Sequence, residues 1–184
     1  LEGAPDTYLS MGSFRAQSRK ESNVSELSSV WVDLDTYKCG IAGDPVSVLS
    51  AILKAVPWIP VPTIVVTSGR GLYAIWALTK PIGKAQLPHW SEIIEAYVDA
   101  LRPFGADPSA TDASRVLRIV GTINSKSDTE VVAYQTGPLY SFSDLRKSVK
   151  ACPVLISSNP AIQEPVRAKK TAPPSIQGLS LIHI

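Results

Sequence analysis

The stretch from Thr63 to Leu78 leaves this chain the least conformational freedom. Thr63 to Thr67 is an unbroken β-branched run, Ser68-Gly69-Arg70-Gly71 follows, and Leu72 to Leu78 is a second apolar run. β-Branched side chains are stiff at χ1 and favour extended backbone, and two such runs joined by glycines read as an antiparallel hairpin. The spacing around the hairpin predicts helices. Asp44-Pro45 opens one that continues through Val56, with Asp44 as cap and Pro45 in the first turn, and Pro57, Pro60 and Pro62 end it. From Pro88 to Phe104, Trp90, Ile93, Ile94, Tyr97, Val98 and Leu101 recur at helical spacing. Ser141 to Val149 is a last amphipathic helix, with Ser141 as cap and Asp144 as the acid three residues on.

Further strands are expected at Ser29 to Asp35 and, as a pair, at Val116 to Ile123 and Glu130 to Gln135. Gly105 to Ser114 reads as an acidic loop or helix start. Residues 1–29 are polar and serine-rich, with Arg15 to Lys20 as loop or a short strand. At 184 residues the chain has room for one globular domain, which the periodicity places at 1–150. Residues 151–178 lose periodicity and are punctuated by Pro153, Pro160, Pro165, Pro173 and Pro174, as a linker would be. The last residues, 179–184, match one reading frame of a transposon-end sequencing adapter. We therefore expect a further domain beyond the linker and give the terminal segment, including His183, no functional weight. Because residue 1 is Leu, an incomplete N-terminus is also expected.

Composition excludes several classes. No apolar run approaches the ~20 residues that a membrane-spanning helix needs, and no charged leader precedes an apolar segment. Two isolated cysteines, Cys39 and Cys152, fit reduced thiols in a cytoplasmic protein, and with only His89 and His183 a cysteine–histidine zinc site is excluded. The net charge of +2 is too small to announce a nucleic-acid partner, so the local clusters matter more.

Three constellations could carry chemistry. In the expected strand S-V-W-V-D-L-D, Val30, Val32 and Leu34 share one face, and Trp31, Asp33 and Asp35 the other. Acids at i and i+2 project the same way from backbones about 6.6 Å apart, close enough to converge on a cation. Exposed acids at a strand end are the ordinary alternative. Ser68-Gly69-Arg70-Gly71 could form a phosphate-binding nest with Arg70 adding charge, or a plain turn needing positive φ. Asp107 to Lys126 gathers Asp107, Asp112, Arg115, Arg118, Asn124 and Lys126 around a short apolar core. Mixed acids and arginines suit a site for metal and triphosphate, and equally a surface salt-bridge network.

Taken in order, VWVDLD, SGRGLYAIW and D-x-x-R-x-x-R-x-x-G-T-x-N-x-K resemble the archaeo-eukaryotic primase superfamily. The branch concerned is that of the RepB-like proteins and primase–polymerases of plasmids, phages and mobile elements. The resemblance covers Phe14 to Val149. It implies an α+β fold in which an RRM-like sheet carries all three motifs on one face, with helices on the other. It further implies template-directed nucleotidyl transfer with two Mg²⁺ or Mn²⁺ ions held by Asp33, Asp35 and Asp112, the catalytic and metal-binding acids, with Asp107 a less favoured substitute for Asp112. Ser68, Gly69, Arg70, Gly71, Tyr73, Arg115 and Arg118 would bind the nucleotide, and Asn124 and Lys126 nucleic acid. Partners would be a single-stranded DNA template, NTPs or dNTPs, and a helicase domain or subunit. Tyr73 stands where the family usually has His, a departure that removes a charge, which Arg70 could supply. That departure keeps open a primase-like module binding single-stranded DNA or an origin without synthesis. A metal-dependent nuclease is a more distant alternative. Trp31 and Trp76 read as core aromatics in preference to base-stacking platforms.

Overall fold

The computed structural model describes residues 2–153. In chain order the regular elements are β1 (Tyr8–Ser10), β2 (Gly12–Phe14), β3 (Val24–Leu34), α1 (Pro45–Ala55), β4 (Ile64–Thr67), β5 (Leu72–Gly83), α2 (Leu87–Leu101), β6 (Val116–Arg118), β7 (Ile123–Asn124), β8 (Thr129–Glu130), β9 (Ala133–Gln135) and α3 (Phe142–Lys150). The main sheet has the order β2-β3-β5-β4-β9 and all its pairs are antiparallel. The fold is therefore α+β with an antiparallel sheet.

Local chemistry sets most element ends where expected. Asp44 caps α1 by accepting a hydrogen bond from Ser47 N (2.8 Å), with Pro45 in the first turn. Ser141 caps α3 by accepting from Asp144 N (3.2 Å). The β4–β5 hairpin forms, with Val66 opposite Tyr73 and Thr67 opposite Leu72. α2 ends at Leu101 and passes into a tight turn at Arg102–Phe104 closed by Gly105.

Two expectations need correction. β3 begins at Val24, well before Ser29, because Gly12–Phe14, within the polar, serine-rich segment, pairs with its first residues. Val116 to Ile123 and Glu130 to Gln135 pair only at their adjoining ends, where Ile123 faces Glu130 and Val131 N donates to Thr122 O (2.8 Å). β6 pairs with β1, β7 pairs with β8, and β9 joins the main sheet beside β4. Gly121, at φ +80°, turns the chain between β6 and β7 and separates their partners.

The unit that positions the site runs β3, α1, β4, β5, α2 and then a return along the outer edge of β3. Leu34 bridges Ala106, Asp35 N donates to Gly105 O (2.8 Å), and Asp107 N donates to Asp33 O (2.9 Å). This is a split β-α-β arrangement whose last strand is reduced to a few residues, consistent with the RRM-like sheet expected. Beneath it lies an aromatic core. Trp31, Trp76, Trp90 and Tyr97 are fully buried, with Trp31 and Trp90 centroids 4.9 Å apart and Trp76 and Tyr97 4.8 Å apart. Burying each such ring removes about 150–250 Å² from water, worth about 4–6 kcal/mol of transfer free energy before ordering costs. Trp31 and Trp76 are thus core residues.

Cys39 is exposed, Cys152 is buried, and both are free thiols. Among the described residues no helix is long and apolar enough to cross a membrane. The linker and terminal hexapeptide expected at 151–178 and 179–184 lie outside the described residues, apart from 151–153.

Candidate functional site

Where β3 ends, three separate stretches of sequence close on one cleft of about 250 Å³. It is lined by Asp33, Asp35 and Tyr37, by Ser68, Arg70 and Tyr73, and by Arg118, Asn124 and Lys126. The pairing explains the convergence. Asp33 lies directly opposite Tyr73 in the β3–β5 register, so both side chains rise from the same face. The β4–β5 turn then sits beside Asp35. Gly71 is required there by space: a Cβ would lie 2.1 Å from Leu34 O. Gly69 is the residue of this turn with positive φ (+99°).

The acids are crowded. Burial, reinforced by the neighbouring carboxylates of Asp35 and Asp107, lifts Asp33 from 3.8 to about 7, against the opposing charges of Arg115 and Lys38. Asp35 is paired with Lys38 (2.5 Å). Asp107 accepts hydrogen bonds from Ser109 N (2.9 Å) and Ser109 Oγ (2.8 Å). Burial pushes the Asp107 carboxyl up, but these bonds and Arg115 leave it below its ordinary value.

The further carboxylate whose charge bears on Asp33 is Asp107, while Asp112, expected as the third acid, is engaged elsewhere. The Asp112 carboxylate accepts from Ser114 Oγ (2.7 Å) and pairs with Arg115 Nε at 3.2 Å, close enough for an ion pair though not aligned as a hydrogen bond. The physical reason is the return edge: the Asp107 amide binds Asp33 O, which brings residue 107 onto the sheet, while Asp112 lies beyond the turn at Pro108–Ala110. Arg115 is correspondingly an acid-balancing group, close to Asp33, Asp107 and Asp112, and also donates to Ser109 O.

The basic and polar groups divide in the same way. Asn124, expected to touch nucleic acid, is buried, and its side chain is engaged within the protein. Its amide donates to Ser68 O and its carbonyl accepts from Lys126 N (3.1 Å), fastening the β4–β5 turn to the loop after β7. Arg70 reaches across the same seam to Lys126 O. Ser68 N binds Gly71 O (2.9 Å), the closure of an ordinary turn. Tyr73 is 7% exposed, and burial together with Asp33 pushes its hydroxyl up to about 12, so it stays a neutral donor. Arg118 is buried and paired with Asp6, a residue that no sequence pattern singled out. Lys38 was missed for the same reason, since a lysine three residues after an acid carries no periodic signal.

The donor set is all oxygen, which suits hard cations such as Mg²⁺ or Mn²⁺. Among the described residues no three carboxylate, imidazole or thiolate groups converge closely enough to share an ion as placed. Asp35 is turned onto Lys38, and Asp107 onto Ser109. The surplus of negative charge around Asp33 is nevertheless what a divalent cation would relieve, so the residues fit such an ion chemically.

No known family profile matches the chain. Among solved structures, the AEP domain of the cyanophage S-2L primase–polymerase matches with a TM-score of 0.60 at 17% identity, over 77% of this chain and 69% of that one. The chain has an archaeo-eukaryotic primase-like fold. The catalytic domain of primase RepB′ in complex with initiator DNA is a weaker likeness to this primase-like domain, with a TM-score of 0.42 at 14% identity over 72% of this chain and 63% of that chain. In sequence, the primase-like domain is 40% identical to a replication protein of Clostridium perfringens over 124 residues, which is 67% of this chain. The match spans 30% of that relative's length.

Proposed function

We propose that this primase-like domain is a nucleotidyltransferase of a replication protein that builds primers on single-stranded DNA. The observation that carries the reading is the convergence of crowded acids and basic side chains from three separate segments on one cleft at the end of β3. Asp33, Asp35 and Asp107 would hold one or two Mg²⁺ or Mn²⁺ ions. Bound there, the ions would make the primer hydroxyl a better nucleophile and offset charge on the departing pyrophosphate.

The chain's own groups do the positioning. Arg70 and Lys126 stand at the cleft as charge-assisted donors for triphosphate oxygens, with Ser68 and the neutral hydroxyl of Tyr73 as further donors. Arg118 offers a buried guanidinium. Tyr37 and Arg70 also line an adjoining cavity of about 770 Å³, which has room for the nucleoside. Base choice would come from pairing with the template.

The test is primer synthesis on a single-stranded template with labelled nucleotides and Mn²⁺. The reading requires products from the wild type and their loss in Asp33→Ala. Independently, Mn²⁺ should raise the melting temperature of the wild type at pH 8 and leave that of Asp33→Asn unchanged. A second reading, a module that binds single-stranded DNA or an origin without synthesis, is favoured by the engagement of Asp35 with Lys38 and of Asp107 with Ser109. DNA binding without products would select it. A nuclease is disfavoured by the arginine and lysine lining, which suits a triphosphate better. A helicase partner is a further proposal, tested by co-purification with the full-length replication protein.

A further inference from the structure

The segment before β2 has no part in the three motifs, yet it delivers a carboxylate to the cleft's buried arginine. Asp6 adopts a left-handed backbone (φ 46°) and binds Arg118 Nη1. The same carboxylate accepts from Ser125 Oγ and, at 3.4 Å, from Ser125 N. Two residues on, the Tyr8 ring lies 4.9 Å from the Arg118 guanidinium carbon, stacked against it. The segment is tied down by β1–β6 pairing, in which Tyr8 faces Arg118, and by the bond from Asp6 N to Ile123 O (2.9 Å). Arg118 is thus held on one edge and one face, with further guanidinium donors beyond Nη1.

We infer that Asp6 is a positioning residue that keeps Arg118 available to the nucleotide's triphosphate. The inference rests on the reading of Arg118 as a phosphate-binding group. Arg118 and Asp33 line the same cleft. A buried guanidinium left without its carboxylate partner is strongly disfavoured, and the other acids lining this cleft, Asp33 and Asp35, are those proposed to hold cations. Asp6 supplies that partner from outside the acid set. It leaves the carboxylates to the cations and points the fork of Arg118 at phosphate, and Tyr8 restricts its tilt. Lys38 and Arg115 are engaged with Asp35 and Asp112, so neither substitutes for this arrangement.

The experiment measures nucleotide KM and kcat in primer synthesis. In parallel, affinity for a nucleoside triphosphate is measured by calorimetry with Ca²⁺ and no template. Asp6→Asn is expected to raise KM and weaken triphosphate affinity about tenfold, with kcat at saturation changed no more than about twofold. Asp6→Glu should recover part of the loss. Ser125→Ala, which removes only the brace on Asp6, should show a smaller shift of about two- to threefold, and carries the test should Asp6→Asn fold poorly. In an Arg118→Ala background, Asp6→Asn should add nothing. Unchanged affinity in Asp6→Asn while Arg118→Ala weakens it overturns the inference, as does an equal effect of Asp6→Asn with and without Arg118. Unchanged affinity in Arg118→Ala overturns the phosphate role of Arg118 itself, and the inference with it.

Discussion

At Ser29, β3 meets the aromatic core; at Asp33, four residues on, it meets the cleft. The two regions treat buried polarity in opposite ways. In the core, Trp90 Nε1 donates to Ser29 O (3.0 Å), Trp76 Nε1 to Pro60 O (2.8 Å), and Tyr97 OH bonds Ser148 Oγ (2.7 Å). Only Trp31 Nε1 there lacks a partner among the described residues. At the cleft, burial together with the neighbouring charges of Asp35 and Asp107 leaves Asp33 at about 7. Trp31 apart, the core's ring N–H and hydroxyl groups each find a partner within the protein, and the bond from Trp90 to Ser29 O ties α2 to the sheet. The cleft keeps a charge imbalance that the protein does not satisfy itself. Such local conflict, supported by an otherwise consistent fold, is where binding chemistry is expected.

The comparison breaks most directly at Asp33. Asp33→Ala should reduce primer synthesis by about 10²–10³-fold, measured as labelled product per enzyme, while the aromatic core is untouched. Conversely, Trp90→Ala should destabilise the fold by about 3–5 kcal/mol, read from denaturant midpoints, because it opens a cavity and strips Ser29 O of its donor. Residual activity in the fraction still folded should be close to normal.

A third prediction concerns pH. The folded-state value of Asp33 lies above the ordinary 3.8, so the native protein holds this proton more tightly than the unfolded chain. The stabilisation is complete below about pH 4 and is lost as pH rises to about 7. Asp33→Asn should remove that slope and, without divalent ions, leave the protein about 2–4 kcal/mol more stable than wild type at pH 8. Equal stability of the two at pH 8 would show that the acids are not in conflict. The smallest effect sharpens the assignment of the third acid: Asp107→Ala should lower synthesis about tenfold more than Asp112→Ala.

Much of this architecture was legible in the residues. The hairpin at Thr63–Leu78, the Asp44 and Ser141 caps and the apolar face of α2 are signals carried within a few residues of chain, so periodicity and capping chemistry reveal them. The strand-borne pair Asp33 and Asp35 was legible for the same reason. Asp107 was set behind Asp112, because spacing to Arg115 and Arg118 speaks of chain order, while the bond from Asp107 N to Asp33 O is a contact across the sheet edge. Asn124 carries an expected nucleic-acid role by its place in the third motif. Only the fold shows its amide already engaged by Ser68 O.

By itself, then, the sequence determined the antiparallel hairpin, the helices and the acids at the end of β3. Each follows from backbone preferences and side-chain spacing that act over one or two turns of structure. The tertiary structure alone decided which further carboxylate bears on Asp33, that β6 pairs with β1, and that Asp6 partners Arg118. Those outcomes depend on long-range pairing, in which burial makes an unpartnered edge or charge costly and the nearest complementary group, however distant in the chain, is drawn in.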